Sequence, residues 1–567
     1  MRVRPSGVRP IRSPPSWVFL SAFAAGATLL ALWFLSPSYV EFPMDDAYIH
    51  MVYAQNLAQQ GRLAFSFAAE KGVGTSSILW VVLLAAGSRV GLSMHLAAKL
   101  LGVGSLAVVG ASLFLLLRRI WRPIPSFVAA WLAAFSGNMI WFALSGMETV
   151  LFVAAGLLSL LLYRERRWIL LGAVLGLMTL VRSEGLALAA ALLGVEVLGR
   201  RAMPRGLLVS LFLALVISGP WFAYLLWRTG HVVPTSALGK QFTSSVASEF
   251  LMQQAGAWSW LTRIPGLVYV SVWVGYLFLF ALGGMTLPAP RIALGSIAGI
   301  LDYSLSVWAL PAWLLILGLL YRAGAAYGSP RKWRQWIQDP TRRPLVALLL
   351  WVAFHNLIFL IFLPVPGTAS RYGAINHVVV WLALTAGLFS FLRRPRLLVV
   401  LGSGLLALSF ANISYWDGVY DANLDHMVAV RIEAARYVHD NLAPDELCAG
   451  LDIGALRYFA QRPIVDLGGL VDPDARNWFE QGAFDSYLAD KGATCVVLPG
   501  CPGWEDERWL DPAQIMGLTT SPLFQMKLVQ DFHIDHDRWL QGYIPTTNYQ
   551  CSVSIYRLVP AALGQGP

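Results

Sequence analysis

Apolar segments long enough to cross a bilayer recur along this chain, separated by short clusters of arginine. The first, 17–36, reads WVFLSAFAAGATLLALWFLS and carries no charge, close to the ~20 residues a helix needs to span a hydrocarbon core. It is too long for a secretory signal, and no small-residue cleavage site precedes Glu41 and Asp45. Hydrophobic residues make up 57% of the 567 and charged ones only 13%. That balance describes a polytopic α-helical membrane protein. The net charge of +10 does not point to nucleic acid, because the basic residues flank apolar segments.

Those flanking clusters set a threading. They are Arg2 to Arg12, Arg118 to Arg122, Arg164 to Arg167, Arg200 to Arg205, Arg322 to Arg343 and Arg393 to Arg396. Placing all of them in the cytoplasm gives spans near 17–36, 95–117, 125–143, 147–163, 168–181, 184–199, 206–228, 307–322, 345–363, 373–392 and 397–412. The stretch 78–90 then lies at the outer interface, within a first loop covering 37–94. Segments 266–284 and 293–306 both cross or neither does, so the total is 11 or 13. The expected orientation is an inner (plasma) membrane protein with a cytoplasmic N-terminus and an extracytoplasmic C-terminal domain.

On this threading the polar connections of unusual composition face outward. The first loop holds Asp45 and Asp46 and a glycine-rich turn at 70–77. Ser145-Gly146-Met147-Glu148 and Arg182-Ser183-Glu184-Gly185 follow. His231 opens a segment that ends at Lys240, and Arg371-Tyr372 closes the last loop. Each has an ordinary reading. An aspartate can cap the helix starting near Ala47, Glu148 can be a first-turn acid, and Arg182 and Glu184 can pair. Lys240 and Arg371 can reach for lipid headgroups. His355 and Asn356, inside a span, are expected to be satisfied by neighbouring helices.

Taken together, carboxylates beside cations at a membrane surface suit an amphiphilic phosphate such as a polyprenyl-phosphate sugar. Transfer from such a donor needs little acid catalysis, since phosphate leaves readily. One carboxylate must take the acceptor proton while cations hold the departing phosphate, and direct displacement inverts the anomeric carbon. Asp46 lies nearer the helix start and is the expected cap, so Asp45 is the preferred base.

The ordered blocks DDAYI (45–49), GVGTSSILW (72–80), SGMET (145–149), LVRSEG (180–185), PTSALGK (234–240), RY (371–372) and IVDLGGLVDP (464–473) resemble the GT-C polyprenyl-phosphate-dependent glycosyltransferases. Among these they are most similar to the mycobacterial terminal arabinofuranosyltransferases and their bacterial relatives. The resemblance implies a GT-C fold, a lipid-linked sugar donor, and a glycan, lipid or protein acceptor. It puts the catalytic base in Asp45 or Asp46. Lys240, Arg371, Tyr372, Arg182, Glu184, Glu148 and His231 would bind donor phosphate and substrate. No cofactor is fixed, and a divalent cation is left open.

From about Asn423 the composition turns soluble, so the chain divides into 1–422 and 423–567. The second part reads as a small α/β unit: helices at 428–441, 453–460 and 484–491, strands at 446–451, 463–467, 494–498, 524–533 and 551–558. Trp478, Trp504, Trp509, Trp539 and Tyr543 serve either as core or as sugar platforms. All four cysteines fall in this part, where an oxidising compartment would allow disulfides. The IVDLGGLVDP segment is a candidate for docking this unit over the membrane part. A lipid-substrate transporter or flippase is the main alternative, and a non-catalytic glycan-binding scaffold a third.

Overall fold

The computed structural model describes residues 14–34, 40–67, 71–199, 203–242, 310–363, 367–500, 511–535, 538 and 551–561. Segments 266–284 and 293–306, Cys501, and the aromatic residues Trp504, Trp509, Trp539 and Tyr543 lie outside them. Helices α1 (Ser16–Phe34), α2 (Asp45–Gln60), α3 (Ile78–Arg89) and α4 (Met94–Leu117) open the chain. Then come α5 (Pro123–Ala134), α6 (Gly137–Leu144), α7 (Thr149–Arg164), α8 (Trp168–Val181), α9 (Leu186–Gly199) and α10 (Arg205–Thr229). Beyond residue 309 stand α11 (Leu310–Tyr327), α12 (Pro330–Gln338), α13 (Arg343–Phe362), α14 (Ala374–Phe389) and α15 (Pro395–His426).

Among the described residues seven helical stretches are long and apolar enough to cross a membrane, or eight if the bent pair α5–α6 is one span. The eleven or thirteen expected spans also include α7 and α8, which are apolar but shorter, and α9, of 14 residues. The expected straight span 125–143 is in fact bent by 50° between α5 and α6. The break is chemically satisfied: the Asn412 side chain on α15 accepts the Gly137 N–H at 2.7 Å, replacing a bond the helix gives up. As expected, Asn356 is satisfied by a neighbouring helix, exchanging hydrogen bonds with Asn376 at 2.9 and 3.0 Å.

The change to soluble composition at 423 falls inside a continuous helix. α15 passes through a π-helical turn, Met427–Ile432, straight into α16 (Glu433–Asn441). Beyond it, β1 (Cys448–Gly450), β2 (Ile464–Asp466), β3 (Cys495–Gly500), β4 (Phe524–His533) and β5 (Ser552–Pro560) form one sheet in the order β2-β1-β3-β5-β4. The first three strands run parallel and the last two antiparallel. Helices α17 (Ile453–Ala460), α18 (Asp474–Glu480), α19 (Phe484–Lys491) and the short α20 (Pro512–Ile515) connect them. Cys448 and Cys495 face each other in register on β1 and β3 and are joined by a disulfide. Trp478 packs, half-buried, against the core beneath this sheet.

The IVDLGGLVDP segment has a physical role. Asp466 ends β2 buried, and its carboxylate accepts the N–H groups of Gly468 at 2.9 Å, Val471 at 2.6 Å and Asp472 at 3.1 Å. The loop so folded presses on the membrane part: the Leu470 carbonyl accepts the Thr235 hydroxyl at 2.8 Å, and that hydroxyl accepts the Val73 N–H at 2.9 Å. Contact is close enough to demand glycine. A methyl group at Gly72 would stand 2.0 Å from the Val471 carbonyl oxygen, and one at Gly239 2.6 Å from that of Gly469.

Burial pushes the Asp466 carboxyl up to about 6, against the pull of those three N–H groups. The folded state then holds this proton more tightly than the unfolded chain, whose aspartate titrates near 3.8. Stability from this group is full below about pH 4 and is lost as pH rises through about 6. Asp466→Asn should abolish that slope, and should itself cost about 1–3 kcal/mol by turning an amide N–H₂ toward donors. Thermal unfolding at pH 4 to 7 checks both.

Candidate active site

The two adjacent acids serve opposite partners. Met44 is the N-cap of α2, with no side-chain cap bond, so Asp46 does not cap its own helix as expected. Successive helical residues diverge by about 100° around the axis, and Asp45 and Asp46 diverge accordingly. Asp45 turns to the start of α17 and accepts the N–H groups of Gly454 at 2.8 Å and Ala455 at 2.7 Å. An anion at a helix N-terminus is favourable. Burial and the neighbouring Asp452 nevertheless push its carboxyl up to about 6, against Arg431 and those two bonds. The preferred base of the sequence reading is therefore occupied as a docking group.

Asp46 instead meets cations from two distant segments. Lys240 Nζ donates to its carboxylate at 2.6 Å, and the Arg371 guanidinium donates to the same oxygen. Burial alone would raise this carboxyl, but Lys240 and Arg371 outweigh it and hold it far below the usual carboxylate range. Reciprocally, Asp46 overcomes burial to hold the Lys240 ammonium above its ordinary value. The Asp46 and Lys240 side chains stay 23% and 27% exposed while Arg371 is 2% exposed. The cluster is thus built on a buried guanidinium and opens at its acid and ammonium.

Arg371 is aimed by an unusual stretch of backbone. Ala369 (φ 56°) and Ser370 (φ 59°) both adopt the left-handed conformation, which costs roughly 1–2 kcal/mol each outside glycine. Such strain persists only where the surroundings enforce it, and both residues are buried. Arg371 also donates to the Met44 thioether at 3.2 Å.

Tyr372 joins this cluster to a second one. Its hydroxyl accepts from Lys240 at 3.1 Å, its carbonyl meets His355 Nε2 at 2.6 Å, and the Arg182 guanidinium lies 4.8 Å from its ring centre. Arg182, buried at the end of α8, forks between Glu148 at 3.0 Å and Glu184 at 2.9 Å. The second bond is the pair expected from the sequence; the first is long-range. Glu148 is fully buried and also faces His50 Nε2 at 3.6 Å, while His50 Nδ1 bonds Thr75 at 2.9 Å. Burial holds the His50 imidazole below its ordinary value against the pull of Glu148 and Asp46.

Of the expected site residues, Asp46, Lys240, Arg371, Tyr372, Arg182, Glu184 and Glu148 thus form one connected set. Asp45 adjoins it through the chain. His231 stands apart, exposed beyond α10 with its N–H on Thr229. His50 and Thr75 join the set without a motif to mark them, though His50 follows Asp46 by four residues, one helical turn on. Among the described residues no three His, Cys, Asp or Glu side chains converge to hold a metal.

The fold, a helical membrane bundle with a small sheet-bearing unit over a polar cluster at one end, is of the GT-C type. It is similar to the apo structure of ArnT from Cupriavidus metallidurans, with a TM-score of 0.53 at 14% identity over 95% of this chain and 97% of that one. The same protein bound to undecaprenyl phosphate matches at 0.51, with 15% identity over 98% and 100%. The oligosaccharyltransferase of Archaeoglobus fulgidus, tethered with an acceptor peptide, matches at 0.52, with 13% identity over 85% and 69%. Residues 417–556 match a family described as a domain of unknown function, DUF8728. No curated protein sequence matches the chain.

Proposed function

We propose that this chain is an inverting glycosyltransferase. It moves a sugar from a polyprenyl-phosphate donor to a glycan, lipid or protein acceptor at the outer face of the plasma membrane. The observation that carries the reading is Asp46 held by both Lys240 and Arg371 in a partly open cluster. A donor phosphate can compete with Asp46 for those two cations, and the exchange prepares the chemistry. Once Lys240 and Arg371 turn to the phosphate, Asp46 loses the charges that suppress its basicity. The acceptor oxygen then attacks the anomeric carbon, its proton passes to Asp46, and the bond from that carbon to the phosphate oxygen breaks. The phosphate leaves with the electron pair, held by the same two cations.

Undecaprenyl phosphate in the ArnT structure supports a lipid-phosphate donor, and the acceptor peptide in the archaeal one keeps protein among the acceptors. A pentofuranosyl, specifically arabinofuranosyl, transfer in envelope biosynthesis follows the motif resemblance. The arginine clusters support the cytoplasmic N-terminus, and the Cys448–Cys495 bond supports an extracytoplasmic unit from about 423 onward. The transporter reading has one observation in its favour, the broken helix α5–α6 beside buried Asn138, His377 and Asn412. Those groups bond to one another and to the broken helix's backbone, as a structural repair does.

Membranes containing the protein, supplied with a panel of radiolabelled polyprenyl-phosphate sugars, should move label from one of them to an acceptor. Lys240→Ala and Arg371→Ala should each weaken affinity for that donor by ~1.5–3 kcal/mol, on the order of ten- to a hundred-fold. Transfer from no member of the panel, or donor affinity unchanged in both variants, counts against the proposal.

A further inference from the structure

The opposite end of the bundle holds a polar cavity that the proposed chemistry does not use. α7 begins beside Glu148 and ends at Arg164, 16 residues or about 24 Å away. The chain returns through α8 from Trp168 to Arg182. Between these far ends lies a cavity of ≈ 210 Å³ lined in part by Tyr163, Arg164, Arg166, Trp168, Glu196 and Arg343. Among the described residues its lining carries three arginines against one glutamate.

The walls are built rather than incidental. Glu196 is buried, pairs with Arg343 at 3.3 Å and accepts the Tyr163 hydroxyl. Arg343 is fixed further by the Ile337 carbonyl at 2.7 Å. Arg164 donates to the Leu115 carbonyl at 2.8 Å and to Glu165 at 2.7 Å. Arg166 differs: among the described residues no carboxylate pairs with it. Its backbone is the left-handed residue that closes α7, with φ 56° and its N–H on the Tyr163 carbonyl at 3.2 Å. Glycine is the inexpensive residue at such a helix end. An arginine there accepts strain and puts a cation on the cavity wall.

The surroundings are apolar. Ile169, Leu170, Leu208, Val209 and Phe212 follow the lining residues Trp168 and Gly206 along α8 and α10, and all are exposed in a chain that spans a membrane. A cationic cavity bordered by lipid-facing side chains suits a ligand with a phosphate head and acyl tails. We infer that this cavity binds the phosphate headgroup of an anionic membrane lipid, with Arg166 as its uncompensated contact.

The test uses the full chain in neutral detergent, titrated with phosphatidylglycerol, with neutral phosphatidylcholine, and with soluble glycerol phosphate. Phosphatidylglycerol should raise the melting temperature, and the other two should not at equal concentration. Arg166→Gly removes the charge while relieving the positive φ, so the variant should fold at least as well as the parent. Its apparent affinity for phosphatidylglycerol should fall about tenfold or more. An unchanged affinity in Arg166→Gly overturns the inference. So does an equal shift with phosphatidylcholine, and stabilisation by glycerol phosphate alone would assign the cavity to a soluble phosphate instead.

Discussion

Asp46→Asn is expected to lower turnover by about 10²–10⁴-fold, the usual cost of removing a general base. The amide keeps the size of the carboxylate but cannot take a proton from the acceptor. Donor affinity should move the other way from the Lys240 and Arg371 variants. With no carboxylate to displace, a phosphate meets both cations free, so binding should hold or tighten. Loss of turnover with retained or improved donor binding is a pattern that mere unfolding cannot produce. Asp45→Asn is the control: it gives up one of two bonds to α17, which should loosen docking by about 0.5–1.5 kcal/mol and leave turnover within a few-fold. Normal turnover in Asp46→Asn would pass the role to Glu184 or Glu148.

The second large effect is on stability. Arg182→Ala removes the fork that neutralises Glu148, whose side chain has no exposure, and Glu184. Breaking a buried ion pair from one side costs about 3–5 kcal/mol because the remaining charge stays buried. Arg182→Lys should recover little, since a single ammonium cannot reproduce a planar fork between two acids. Adding Glu148→Gln to Arg182→Ala should restore part of the loss, because the fully buried Glu148 charge is then gone and only Glu184 lacks its arginine. Thermal unfolding of the four proteins in detergent measures this, and a loss below about 1 kcal/mol in Arg182→Ala would show that the bridge carries little.

How legible this was depended on distance along the chain. Local signals were read closely: α17, α19 and β4 start and stop where the sequence reading put them. Apolar runs located the long spans, and Asp46, Glu148, Arg182, Glu184, Lys240 and Arg371, far apart in the chain, lie in one cluster. What the local sequence does not carry is the contrast between neighbours. Whether Asp45 or Asp46 is tied down depends on Gly454 and Ala455, more than four hundred residues away, and nothing local encodes that pairing. The bend between α5 and α6 did have a local signal, Ser136-Gly137-Asn138 in the middle of the apolar run, but not the distant asparagine that accepts the Gly137 N–H. His50 carries no motif of its own; its position one turn after Asp46 was the available signal.

The unbroken passage from α15 into α16 gives a helical stretch of 47 residues, Pro395–Asn441, about 70 Å at the usual rise. Such a mast does not behave as a tether. A unit carried on it, and pinned again through Asp45 and the 466–472 loop, is poorly suited to swinging clear like a hinged cover. Traffic to Asp46 would then run sideways beneath a fixed roof, in the plane of the bilayer, which is the direction from which a lipid-borne molecule arrives. The rigidity has a second face: a tug on the sheet unit reaches α2 at Asp45, one residue from the cluster, so strain applied outside the membrane would be felt directly at Asp46.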